Sequence, residues 1–228
     1  MLTMEELLGN LAFLQGTPAV LLIVLTAAIL LFLQDWRWSL ALLAVQYLVA
    51  GLLFAWVLEP NMAGLKLIIG LFACLILFLT GGQVGWGAFS VEVKEGLAQS
   101  GRPVTIGHIT LPADMLLRPA LALIVGAVAL LFLPRSEDAV LPGTLAVGAY
   151  ALVALGLITL GVHLRPYKAG IGLLTFLTGF DLLYSALAFS NTLLIFFAAA
   201  HLAAALAVAY LTQRCYLAHL NQNVKRET

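Results

Sequence analysis

Seven stretches of about twenty residues, built almost wholly from Leu, Ala, Val, Ile, Phe and Gly, leave this chain one kind of environment. They lie at 17–34, 38–58, 62–80, 118–134, 143–163, 169–189 and 191–212. As helices, stretches of this length cross a hydrocarbon core of about 30 Å. Of the 228 residues, 63% are hydrophobic and 10% are charged. An ordinary soluble domain has about half and about a quarter. Too little polar surface is left to coat a globule in water. The expected fold class is therefore all-α: a polytopic membrane protein of seven transmembrane helices, embedded in the lipid bilayer of the cell inner (plasma) membrane.

The breaks between spans are short and polar. Asp35-Trp36-Arg37-Trp38 is a tight turn with interfacial tryptophans. Glu59-Pro60-Asn61 is a breaker, Pro134-Arg135-Ser136-Glu137-Asp138 a charged loop, and His163-Leu164-Arg165-Pro166-Tyr167-Lys168 a basic turn. Ser190-Asn191 separates the last two spans. Residues 1–16 read as a short interfacial helix with Leu7, Leu8, Leu11 and Leu14 on one side. Glu5 and Glu6, with no Lys or Arg beside them, do not suit the basic start of a cleaved signal peptide.

Seven spans put Arg37, Lys94, Arg102, Arg118, Arg165, Lys168, Arg214, Lys225 and Arg226 on one side, and Arg135 and Lys66 toward the other. Nine against two is a strong positive-inside bias. It predicts an external N-terminus and a cytoplasmic C-terminus. Lys plus Arg equals Asp plus Glu at 11 each, so no basic excess exists for nucleic acid. Two cysteines, Cys74 and Cys215, and four dispersed histidines make neither a disulfide framework nor a metal site, and no cofactor is expected.

The chain divides into an interfacial segment (1–16), a first three-helix unit (17–80), a cytoplasmic loop (81–117), a linking helix (118–134), a second three-helix unit (143–212) and a cytoplasmic tail (213–228). In the loop, Ser90–Glu95 and Val104–Leu111 both alternate, and 96–103 is rich in turn residues. A small β-hairpin fits, with a solvated, partly helical loop as the alternative. The loop carries no phosphate-binding loop, HExxH or nucleophile elbow.

Ionisable groups inside a membrane are expensive and mark functional candidates. Asp181 lies nine residues before Ser190 and His201 ten after Asn191. At about 1.5 Å per residue both are near midspan, on two antiparallel helices and at one depth. A carboxylate and an imidazole there can relay protons. The alternative is a static interhelical bond worth about 0.6 kcal/mol. Lys66 and Glu59 stand near the outer end of span three; Lys66 is expected to snorkel outward as an anchor, with an ion-pathway role as the alternative. Gln46 is deep in span two and is expected to hydrogen-bond to a neighbouring helix. Small residues, among them Ala198, Ala199, Ala200, Ala203, Ala204 and Ala205, make the last span slim. Such helices suit the inside of an assembly, so a stable monomer is not expected.

Three groups of residues carry a likeness. Leu155-Gly156-Leu157-Ile158-Thr159-Leu160-Gly161 is followed by the basic Arg165 and Lys168. Next comes Gly179-Phe180-Asp181-Leu182-Leu183-Tyr184-Ser185-Ala186. The last is Ala198-Ala199-Ala200-His201-Leu202-Ala203-Ala204-Ala205-Leu206-Ala207. Residues 144–212 thereby resemble the three-helix K subunit of respiratory complex I. They are similar also to the C subunit of multisubunit cation/proton antiporters and the E subunit of group 4 membrane hydrogenases. The resemblance implies that Asp181 and His201 stand where that family keeps two intramembrane glutamates, on a proton path beside an antiporter-like subunit. Asp and His replace the glutamates, and the last interhelical connection is shorter than in the K subunit. Spans one to three echo the same plan as a parallel unit.

The expected function is a non-redox integral membrane subunit of a proton- or cation-translocating complex. Asp181 and His201 would be its relay groups, Lys66, Glu59 and Gln46 accessory ones, and other membrane subunits its partners. A purely structural subunit of the same kind of complex and a stand-alone small-molecule transporter or channel are the competing readings. An intramembrane enzyme would need more polar residues at depth than this chain has.

Overall fold

The computed structural model describes residues 17–33, 35–84, 103–106, 109–112, 143–163, 165–187 and 191–227. Among these residues there are six helices: α1 (Thr17–Phe32), α2 (Trp36–Val57), α3 (Pro60–Val84), α4 (Gly143–Val162), α5 (Pro166–Leu187) and α6 (Asn191–Glu227). Five of them, α2 to α6, contain an apolar stretch long enough to cross a membrane. α1 has 16 residues and is shorter than the expected first span. The interfacial segment 1–16 and the linking span 118–134 lie outside the described residues. The protein is a multi-pass helical membrane protein.

Prolines set the helix starts. Pro60 and Pro166 each occupy the first position of a helix, where a missing N–H costs nothing and the fixed φ is already helical. The Glu59 carbonyl accepts the Met62 and Ala63 amides at 3.0 and 3.1 Å, and the Arg165 carbonyl accepts Ala169 at 3.0 Å. α2 ends where Leu58 turns extended and donates its amide to Phe54 at 2.7 Å.

The helices form two rows. α1, α2 and α3 are neighbours in sequence order, as are α4, α5 and α6, and α1 faces α4, α2 faces α5 and α3 faces α6. Each facing pair is parallel. Val20 near the start of α1 lies against Gly148 near the start of α4. Ser39 early in α2 meets Lys168 early in α5. Lys66 in the second turn of α3 reaches Leu194 in the first turn of α6. Consequently α3 ends and α4 begins at opposite ends of the bundle.

Within the second row, glycines bring α4 and α5 into backbone contact. A Cβ on Gly172 would stand 2.5 Å from the Leu160 nitrogen, and one on Gly179 would stand 2.6 Å from the Leu152 Cβ. Such close approach gives dispersion contact in a solvent that offers no hydrophobic drive between helices. The interior is correspondingly small and polar, with Thr175, Thr178, Asp181 and Ser185 buried on α5. Large apolar side chains such as Leu65, Ile68, Phe72 and Phe78 of α3 face outward.

Two apolar layers fill the bundle. One, at the end where α1 and α4 start, contains Ile23, Leu53, Leu145, Leu152 and Leu182. The other contains Leu30, Leu43, Leu77, Ile171 and Leu174. Lys66 and Asp181 lie between residues of the two layers along α3 and α5, and Lys168 lies at the start of α5 beside the second layer.

Outside the bundle, Pro103–Ile106 (β1) and Ile109–Pro112 (β2) pair antiparallel, with Val104 opposite Leu111 and Ile106 opposite Ile109. The expected hairpin used 104–111 as one strand. That alternating run instead supplies residues to both strands, 103–106 and 109–112. The proposed partner strand, 90–95, lies outside the described residues.

Candidate functional site

On α5 the residues Lys168, Thr175, Thr178, Asp181 and Ser185 follow at spacings of seven, three, three and four, which is one face of a helix. All five are buried. This stripe faces α2 and α6 and carries the only ion pair among the described residues.

The Lys66 ammonium stands 2.7 Å from Asp181 Oδ1 and 2.6 Å from Oδ2, and 3.2 Å from the Leu194 carbonyl oxygen. Its three N–H donors are thus fully used. The Phe54 and Phe197 rings flank it at 5.9 and 5.7 Å, where their quadrupoles add attraction for a cation. Lys66 is 8% exposed and Asp181 1%. The expectation that Lys66 snorkels outward is therefore corrected. Its stem is long enough to reach either way, and the desolvated carboxylate draws the ammonium inward. One bare charge at this depth costs at least about 2.5–3.5 kcal/mol on insertion scales, so each partner offsets the other.

His201, buried on α6, lines the same cavity as Lys66 and Asp181. Its Nδ1 is 2.9 Å from the Phe197 carbonyl oxygen. A carbonyl has no proton to give, so Nδ1 carries the hydrogen. In the neutral ring Nε2 then presents a lone pair. Nε2 lies 3.5 Å from Thr178 Oγ1, and the Thr178 hydroxyl already donates to the Leu174 carbonyl at 2.8 Å. Asp181 and His201, expected at one depth and within reach of each other directly or through water, both line this cavity. The direct partner of Asp181 is Lys66.

Glu59 and Gln46 do not join. Glu59 is exposed at the start of α3, where its backbone carbonyl, not its side chain, receives the first amides. Gln46 is buried, but neither amide atom finds a hydrogen-bond partner among the described residues. Its expected bond to a neighbouring helix is not made among the described residues.

Three contributors escaped the sequence reading. Tyr47, next to Gln46, lines the cavity, with its ring 6.2 Å from the His201 ring in an edge-on arrangement. Gly70 makes room for it, since a methyl there would overlap the tyrosine ring. Thr178, one turn before Asp181, is the second. Both were visible as polar groups at midspan depth. Lys168 is the third. Counted as a cytoplasmic charge, it is 4% exposed and donates to Ser39 Oγ at 2.7 Å and to the Leu33 carbonyl oxygen.

Comparison with protein families, with curated proteins and with solved structures finds no match for this chain.

Chemically, the site is a neutralised cation–anion pair beside an imidazole whose free nitrogen points into a shared space. A proton delivered to Asp181 would cancel its charge and release Lys66. A proton delivered to His201 would sit on Nε2, with Thr178 as its acceptor.

Proposed function

We propose that this chain is a non-redox membrane subunit of a proton- or cation-translocating complex, with Lys66, Asp181 and His201 as its intramembrane relay. The carrying observation is the Lys66–Asp181 pair, held between two apolar layers on the same cavity as His201. Buried ion pairs contribute little net stability, since desolvation takes back most of the attraction. A bundle needing only to hold together is served as well by apolar packing. Lys66 becomes a central member of the relay and not an accessory.

The resemblance of residues 144–212 to the K-subunit family supports the same reading, because Asp181 and His201 stand at the positions of that family's glutamates. The partners are then other membrane subunits of the antiporter-like kind, in the inner membrane. Seven spans with the N-terminus outside fit the parallel rows. The chain must pass from the end of α3 to the start of α4 at the other end of the bundle, and 118–134 is the apolar stretch of span length between them. Reporter fusions at residues 100 and 140 should then report opposite sides.

The test is ΔpH formation by the complex purified with its co-purifying subunits and reconstituted into proteoliposomes. Asp181→Asn keeps the shape but cannot carry the proton. It is expected to leave the complex assembled and to slow ΔpH formation by about a hundredfold or more, the scale of a lost general acid–base group. Equal rates at equal subunit content would leave only a structural subunit.

A further inference from the structure

The cavity shared by Tyr47, Lys66, Thr178, Asp181 and His201 has a volume of about 10 Å³, measured as room for the centre of a water molecule. That is about the least that holds one water, and only where two to four polar groups can bind it. The lining has an imbalance that one water corrects. His201 Nε2 offers a lone pair because Nδ1 holds the proton against Phe197. Thr178 Oγ1 also offers only lone pairs, its hydrogen being given to Leu174. The two face each other at 3.5 Å with no hydrogen between them. On the same cavity, the Tyr47 hydroxyl is buried and makes no hydrogen bond among the described residues. A buried hydroxyl left so loses its full hydration. The hydroxyl is a donor and acceptor, and so is a water.

We infer that this cavity binds a single water molecule, held by the Tyr47 hydroxyl and His201 Nε2 and bordering the Asp181 carboxylate, and that Tyr47 is the positioning residue for the relay. The water gives His201 Nε2 the hydrogen it lacks and Tyr47 the partner it lacks. It also supplies the bridge from imidazole to carboxylate that the two side chains do not make directly. The seat for Tyr47 is built: the notch at Gly70 receives its ring, and the ring edge meets His201. The water stands on the cavity alone; the positioning role of Tyr47 rests on the relay reading.

The experiment uses the purified complex in lipid vesicles with ¹⁵N-labelled histidine. The His201 signals are those missing from His201→Gln. Polarisation transferred from water protons to His201 Nε2 is expected in the wild type and is expected to vanish in Tyr47→Phe, with the Nε2 signal moving downfield as an unbonded imine nitrogen does. Thermal unfolding gives a second measure. If the hydroxyl holds a water, Tyr47→Phe lowers the midpoint; if it is orphaned, its removal raises the midpoint. Tyr47→Phe is also expected to slow ΔpH formation by about tenfold, the worth of one hydrogen bond. No transfer in the wild type, or transfer undiminished in Tyr47→Phe with a raised midpoint, would overturn the water site. Full transport in Asp181→Asn alongside normal water transfer would instead remove the relay and leave the water. Should Tyr47→Phe fail to assemble, Thr178→Val is read in the opposite sense. It leaves the water transfer in place if Tyr47 is the holder and abolishes it if Thr178 is.

Discussion

Two lysines are buried in this bundle, and their surroundings differ in kind. Lys66, on α3, is held by a carboxylate. Lys168, at the start of α5, is held by a hydroxyl and a backbone carbonyl in the turn joining α1 to α2, where the neighbouring Tyr167 hydroxyl also donates to the Trp36 carbonyl at 2.6 Å. The end of a helix leaves carbonyls without amide partners and carries partial negative charge. An ammonium there satisfies oxygens whose charge no proton can alter. Through these contacts Lys168 acts as a fastener. Lys66 is bound to a group that one proton can neutralise, so its hold is conditional. Under the proposed relay, the same side chain fastens at one end of α5 and exchanges near the other.

Several substitutions test that contrast. The largest effect is expected from Asp181→Leu, which strands an ammonium between two apolar layers. It should lower stability by about 3–5 kcal/mol, read from thermal unfolding in detergent. Adding Lys66→Met should restore most of the loss, because an apolar pair of similar volume is close to neutral. A double variant as unstable as the single one would mean that the ion pair is not what Asp181 contributes. Lys168→Met should lower stability by about 1.5–3 kcal/mol, the worth of charge-assisted hydrogen bonds, while transport per assembled molecule stays at the wild-type rate. Slowed transport there would erase the distinction between the two lysines. Tyr167→Phe, removing one neutral bond from the same fastener, should lower stability by about 0.5–1.5 kcal/mol. The smallest effect is expected from Gln46→Leu, which replaces an unpartnered amide by an apolar group. It should be neutral or raise stability by about 1 kcal/mol.

Five of the expected spans and their punctuation were legible because helix length, apolar content and prolines at the starts are local properties. Asp181 and His201 were legible as a pair in depth for the same reason: rise per residue converts sequence position to height. Rotation about the helix axis is not a local property here. Apart from α5, whose Lys168, Thr175, Thr178, Asp181 and Ser185 mark one buried face, the helices are apolar nearly all round and offer little to distinguish inside from outside. The facing is set by the glycine contacts between α4 and α5 and by the notch at Gly70. Lys66 therefore read first as an anchor pointing outward, with an ion-pathway role as the alternative, and the carboxylate deciding the matter is on another helix. The burial of Lys168 was hidden for a related reason: a basic residue beside Arg165 looks solvated until Ser39 and the Leu33 carbonyl are seen to hold it.

The ion pair joins residues 115 positions apart, and this has a consequence for how the protein is made. Ribosomes add about 5–20 residues each second. Lys66 is therefore added roughly 6–23 seconds before Asp181, since 115 divided by 20 and by 5 gives those bounds. During that interval Lys66 is an uncompensated charge in a nascent span. It lies six residues into its helix, close enough to the nearer surface for its stem to keep the ammonium in the headgroup region. Its inward position is then expected only once α5 and α6 bring Asp181 and the Leu194 carbonyl. A nascent chain stopped before Pro166 should leave residue 66 open to a water-soluble amine reagent, and the finished chain should not. Equal labelling of the two would show that Lys66 is buried without waiting for its partner.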